Sequence, residues 1–288
     1  MSLRNVKKLL ITIAVVLLAG CGKSKKSTPP AESIPVETIA EAANPEAPSI
    51  SIHDAILKSK FGSEVLKEIY FQMIRQHLAA GTDVNTLNNF GETPLDLAEG
   101  EIADFILKNG GKTSVWLRAD ESIHLAAEAG HIEAVKKHLA SGADVNGKDK
   151  DELNDGFTPL HHAAYEGHKK LIEIIIASGA NINATTTKRG TPLNTAVGMG
   201  LIDCVELLIN LGANLNEKDG EGWTALHLSS YSGKIEIVKL LIDKGADINA
   251  QDFDGETPLN RAENEKEIAD LLRKHGGKTG EELKAEWK

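Results

Sequence analysis

The apolar positions of this chain fall into three regimes. Leu9–Ala19 is a continuous apolar run in which Thr12 is the only polar residue, and it follows a start that carries Arg4, Lys7 and Lys8 and no acid. Residues 22–49 are the reverse: Lys23, Lys25, Lys26, Pro29, Pro30, Pro35, Pro45 and Pro48 stand among Ser, Ala and Glu. A stretch with so few large apolar side chains cannot bury enough surface to offset the entropy of ordering, which predicts a disordered linker or extended tether. From about residue 50 the apolar residues return in short bursts at helical spacing, divided by Gly, Asn and Asp. In one burst Leu171, Ile174 and Ile175 mark the apolar stripe of a helix.

Those bursts keep a fixed period. Thr158, Thr191, Thr224 and Thr257 lie 33 residues apart, as do Leu160, Leu193, Leu226 and Leu259. Gly167, Gly200 and Gly233 keep the step, and so do Asn183, Asn216 and Asn249. The pair Gly142-Ala143 recurs at Gly179-Ala180, Gly212-Ala213 and Gly245-Ala246, and the first gap of 37 places a four-residue insertion at about Lys150–Leu153. Such regularity indicates a stacked array of small units. Within a unit Thr158 suits a helix N-cap and Pro159 the first helical turn. Ala163 and Ala164 let neighbouring helices approach closely, Gly167 breaks the first helix, and Gly179 supplies a left-handed cap to the second. Ala180–Thr187 then leads to the next unit as a turn and hairpin-like finger.

The segments Gly156-Phe157-Thr158-Pro159-Leu160-His161-His162-Ala163-Ala164 and Gly179-Ala180-Asn181-Ile182-Asn183-Ala184 resemble the ankyrin repeat. The likeness covers residues 50–279 in degrees and is densest over Asp120–Ala250. It implies an all-α solenoid of helix–turn–helix units with β-hairpin-like fingers, about seven in number, two of them degenerate or cap-like. Residues 50–114 hold the first two, divergent, units: Ser51-Ile52-His53-Asp54-Ala55 echoes Ser122-Ile123-His124-Leu125-Ala126, with an insertion around Phe61–Tyr70. Residues 115–279 hold five more. Both groups close alike, at Gly110-Gly111-Lys112-Thr113 and Gly276-Gly277-Lys278-Thr279. Two units alone fall short of the three needed for a continuous core, so the first group is expected to stack on the second through Val115–Leu117. In the tail, residues 280–288, a short helix would fold Leu283 and Trp287 back on the last unit.

The N-terminal run is too short to span a bilayer, and with its basic start it reads as a secretory signal peptide over residues 1–20. Leu18-Ala19-Gly20-Cys21 resembles the bacterial lipobox, which implies cleavage before Cys21 and lipidation of its thiol. A plain signal peptide with an incidental Cys21 and an uncleaved anchor are the alternatives. Removing residues 1–20 takes three basic residues and no acid, so the net charge moves from −10 to about −13. That charge supplies no phosphate-neutralising patch, which argues against nucleic acid as a partner. The acyl chains would hold the membrane without a basic patch. Gly22 in place of Asp after Cys21 points, by the enterobacterial sorting pattern, to an outer membrane facing the periplasm, with the cell surface as the other option.

Little in the chain suggests chemistry. Gly111-Lys112-Thr113 and Gly277-Lys278-Thr279 lack the upstream glycine of a phosphate loop and follow helices instead of opening them, so they read as helix ends. No His-Glu-x-x-His or zinc spacing occurs among the ten histidines. His124, His161 and His227 stand where the ankyrin family uses histidine to bond neighbouring backbone. Gly198-Met199-Gly200 lies between two helices of one unit and is not a dinucleotide fingerprint. Asp149, Asp151, Glu152 and Asp155 fail the calcium-loop pattern at Leu153 and Asn154 and read as a solvated loop. Cys204 aligns with Ile237 and reads as a small buried hydrophobe. No catalytic residues, cofactor or metal are expected.

In ankyrin proteins the concave face of fingers and first helices usually holds the ligand. The positions carried over are Phe157, Tyr165 and Glu166; Gly190, Gly198 and Met199; and Trp223, Tyr231 and Ser232, with Phe253 and Glu256 added in the last unit. Five of the twelve aromatic residues fall on these positions, and aromatic anchors are common at interface centres. Trp223 would alternatively brace its finger. Arg189 stands where other units carry Gly156, Gly222 and Gly255, so its finger is expected to differ in shape. The expectation is a monomeric, membrane-anchored adaptor or scaffold in the bacterial cell envelope that binds a protein through this face. A passive structural or cell-wall-associated lipoprotein, or an inhibitor or protector of an envelope enzyme, is the alternative.

Overall fold

A computed structural model describes residues 50–61, 63–150 and 156–286. Cys21, the segment 22–49, the finger residues Asp151, Glu152, Leu153, Asn154 and Asp155, and Trp287 lie outside the described residues. Among the described residues every regular element is a helix, and the fingers carry no assigned strand. The chain divides into two compact units, one ending at Ser114 and the other running Val115–Lys288.

In the first unit α1 (Ile52–Ser59) and α2 (Glu64–Ala79) pair, followed by α3 (Pro94–Leu97) and α4 (Gly100–Lys108). The extra residues expected as an insertion are built into α2, whose 16 residues make it the longest described helix. Its apolar side chains Ile69, Phe71, Met73 and Ile74 are buried with Ile52, Ile56 and Ile106 in one cluster.

The second unit opens with α5 (Ser114–Leu117), which straddles the boundary, and continues as pairs: α6 (Ile123–Glu128) and α7 (Ile132–Ala140), α8 (Pro159–Tyr165) and α9 (Lys169–Ala177), α10 (Pro192–Met199) and α11 (Ile202–Asn210). It ends with α12 (Ala225–Tyr231) and α13 (Ile235–Asp243), α14 (Pro258–Arg261) and α15 (Lys266–Lys274), and the tail helix α16 (Gly280–Glu286). The first helices pack in the order α6, α8, α10, α12, α14, each on its neighbours. Leu160, Leu193, Leu226 and Leu259 thread this inner row and are all buried, as are the small residues Ala126, Ala163, Ala196, Ser229 and Ala262 that let the helices approach. In α9 the buried stripe is Leu171, Ile172 and Ile175, so Ile172 takes the place expected for Ile174.

Two sets of side-chain bonds tie each unit to the next. Thr158 N–H and hydroxyl both reach His161 Nδ1, at 3.2 and 2.8 Å, so Nε2 bears the ring proton and donates to the Gly190 carbonyl at 3.1 Å. His227 repeats this between Thr224 and the Glu256 carbonyl, and His124 reaches the Gly147 carbonyl. The histidines therefore act as the resemblance implied. The second set belongs to the turn asparagines: Asn146 accepts from Asn181 N–H, Asn183 from Asn214 N–H, Asn216 from Asp247 N–H and Asn249 from Lys278 N–H, all at 2.7–2.9 Å.

Each finger is closed by one backbone bond spanning four residues: Asn88 to Glu92, Thr186 to Gly190, Asp219 to Trp223, and Asp252 to Glu256. Asp149 N–H reaches instead to Phe157, eight residues on, at 2.8 Å. The additional four residues therefore sit inside that loop, which leaves the frame on either side undisturbed. The Gly-Lys-Thr segments also end helices: Gly110 and Gly276 are left-handed, and Gly111 and Gly277 N–H groups bond the Ile106 and Leu272 carbonyls.

Candidate protein-binding face

The fingers and the exposed edge of the inner helices in Val115–Lys288 carry the aromatic residues singled out from the sequence. Tyr231, at the end of α12, is 64% exposed, and its ring meets Trp223 edge-on at 5.2 Å. Trp223 is half-buried and roofed by the Arg261 guanidinium at 4.9 Å from the ring centroid. Arg261 is held in turn by the buried carboxylate of Asp252, at 2.5 Å, and by Asp254. Burial pushes the Asp252 carboxyl up, but the guanidinium and the backbone N–H groups of Glu256 and Asp254 outweigh it and leave its pKa lowered. Trp223 thus braces its finger while offering one edge to solvent.

Phe157 corrects the sequence expectation. It is only 2% exposed and lies under the surface: His161 stacks on it at 5.2 Å, His162 meets it edge-on at 5.4 Å, and Arg189 lies 5.6 Å above the ring. Tyr165 is half-buried, with its ring 6.3 Å from Phe157 and 5.8 Å from the Arg189 guanidinium. Glu166 beside it is exposed. Arg189 also answers the question of its finger: the left-handed residue is displaced one place, to Gly190 at φ 74°, instead of the position of Gly156, Gly222 and Gly255.

Between the two aromatic clusters lies α10. Where α8 has Tyr165 and α12 has Tyr231, α10 has Gly198, and nothing stands within 4 Å of where its Cβ would be. Met199 follows, half exposed. The end of this helix is fixed from the next unit, because the Lys234 ammonium donates to the Val197 carbonyl at 2.9 Å and to the Gly198 carbonyl. Cations at a helix C-terminus are favourable; burial lowers the Lys234 pKa. Phe253 is 70% exposed at its fingertip and rests against Gly222, whose Cβ would fall 2.7 Å from the Phe253 nitrogen.

The buried polar group His162 lies apart from this line. Its Nε2–H donates to Asp149 Oδ2 at 2.8 Å while Glu128 Oε2 stands 3.9 Å from Nδ1. Burial holds the His162 pKa below its ordinary value despite the two carboxylates. Cys204 is buried with its thiol pushed up by burial, as suits a core position. Among the described residues no cluster of His, Cys, Asp and Glu is arranged to hold a metal.

A family profile described as ankyrin repeats (three copies) matches residues 123–219 and 211–282, more than half of the chain. The chain belongs to the ankyrin-repeat family. No curated protein matches it. Ankyrin repeats are protein-interaction modules, which implies a protein partner for this ankyrin array. The first unit lies outside the match, although it shares the ankyrin bonds: His53 reaches the Thr86 and Glu92 carbonyls, and Asn85 accepts from Lys112 N–H.

Proposed function

We propose that this chain is a lipid-anchored adaptor of the bacterial cell envelope that holds a protein on the face built from Tyr165, Met199, Trp223, Tyr231 and Phe253. The observation that carries the reading is the exposure of Met199, Tyr231 and Phe253 beside the half-buried Tyr165 and Trp223 on consecutive ankyrin units, on the side the family uses for binding. Exposed aromatic groups braced by arginines give large contact area at little entropic cost. Residues 50–114 are read as two divergent ankyrin units, supported by the His53 and Asn85 bonds they share with the rest. The anchor rests on the sequence Leu18-Ala19-Gly20-Cys21 after a basic, apolar leader.

Two experiments test the reading. Proteins captured from detergent-solubilised envelopes by the wild type are compared with those captured by the Tyr165→Ala/Tyr231→Ala double variant, by mass spectrometry. A protein recovered with the wild type alone supports an adaptor, whereas identical recoveries favour a passive structural element. Trp223 is left intact because it braces its finger, so the double variant keeps its fold. For the anchor, Cys21→Ser is expected to abolish labelling by radioactive palmitate and to move the protein from the membrane to the soluble fraction; unchanged labelling would rule out a lipid on Cys21.

A further inference from the structure

We propose that the face occupant is an extended, acidic peptide segment that lodges one bulky apolar side chain over Gly198, between Tyr165 and Tyr231, and sets a carboxylate on Arg189. This rests on the adaptor reading and specifies its ligand. The seat over Gly198 is a place where two neighbouring units carry a tyrosine ring and the middle one carries a hydrogen, with no atom within 4 Å of the missing Cβ. Helices α8, α10 and α12 pack consecutively, so the three positions form one row. Met199 beside it is half exposed, and Thr195, one turn earlier on α10, is buried. A side chain entering there meets no protein atom where the Cβ of Gly198 would be.

The sign of the charge follows from the guanidinium groups. Arg261 is already satisfied by Asp252 and Asp254. Arg189 rests on the rings of Phe157 and Tyr165 and pairs with no described carboxylate. A guanidinium that lies beside aromatic rings and pairs with no described acid is open to a carboxylate, which it can bind through two N–H groups. Among the described residues, Asp219 Oδ1 accepts from Trp223 and Glu221 N–H, and Glu166 is exposed. Successive side chains of an extended strand point to opposite faces, so an apolar residue over Gly198 and an acid two residues away face the protein together.

The test is selection of random twelve-residue peptides displayed on phage, using the full chain in detergent as bait. The wild type is expected to enrich peptides that pair a bulky apolar residue with Asp or Glu two residues away. Gly198→Leu fills the seat on a helical backbone that accepts it, so the fold is retained and the selected peptide binds about tenfold more weakly or worse. Arg189→Glu is expected to exchange the acid for Lys or Arg in the enriched set. Enrichment of basic peptides, enrichment that survives Gly198→Leu, or no enrichment would each overturn the proposal. The envelope-capture result for the tyrosine double variant stands separately, so the adaptor reading is judged on its own outcome. Self-association of the protein lost in Gly198→Leu would make the occupant a second copy and also overturn the proposal.

Discussion

A single side chain in this protein often serves two units at once, and His161 is the clearest case. Its Nδ1 closes the start of its own helix and its Nε2–H holds the next finger, with no exposure to water. Burial lowers its pKa from 6.5 to about 4, and His162 and His227 are lowered for the same reason. The folded chain therefore takes up fewer protons than the unfolded chain between pH 6.5 and 4, so stability is full above pH 6.5 and falls as the solution is acidified toward pH 4. For His161 alone the loss at pH 5 is about 2 kcal/mol, measurable as a lower urea midpoint than at pH 7.5. The chain supplies its own control, since Asn194 and Asn260 occupy this position in other units and make the same kind of bonds. His161→Asn is expected to keep the fold and to flatten the acid loss. An unchanged pH profile in that variant would place the effect elsewhere. This role was legible from the repeat register, because the histidine falls on one motif position. The burial of Phe157 was not, since its register position matches that of Trp223 and only the packing of His161, His162 and Arg189 from other elements covers it.

At the scale of the element, the helices and their ends were readable because threonine, proline and glycine recur every 33 residues. The lengthening of α2 was not, as an insertion in a periodic sequence does not say whether it makes a loop or extends a helix. The asparagine links were visible as a period but not as bonds, because each one ends on the backbone of the next unit. The last unit shows how such links close an array: Gly280 N–H donates to Asn260 Oδ1 at 2.9 Å, and a Cβ on Gly280 would fall 2.0 Å from the Gly255 carbonyl oxygen. Gly280→Val is therefore expected to lift α16 off the last finger. Hydrogen exchange should speed up over Leu259–Leu272 while α6–α9 keep their protection; uniform loss of protection would mean that the tail stabilises the whole array. The first group ends with the corresponding pair, Ser114 N–H on Asp96.

At the scale of the whole molecule, the second unit carries one continuous buried cluster from Ala119 to Leu272. Residues 115–288 expressed alone are expected to melt in a single cooperative transition; failure to fold would show that the core depends on the first unit. Within that array Leu193 is central and Leu259 near the end, and both are buried. Leu193→Ala should cost about 2–5 kcal/mol and lower the melting of the full array. Leu259→Ala should instead fray the last unit first, because stability in a repeat protein is a sum over nearest neighbours. Equal exchange patterns in the two variants would contradict that picture.

The nearest-neighbour links have a mechanical meaning as well. In residues 115–288 the histidine and asparagine bonds run from each unit to the next, so a force applied to the two ends passes through every one of them in series. Pulled in this way, the array yields one unit at a time, and each released unit of 33 residues pays out about 110 Å of chain. If one end were held by a tether and the other by a bound protein, such an array would lengthen in discrete steps and recoil when the load fell, keeping hold of its cargo where a rigid connector would tear loose.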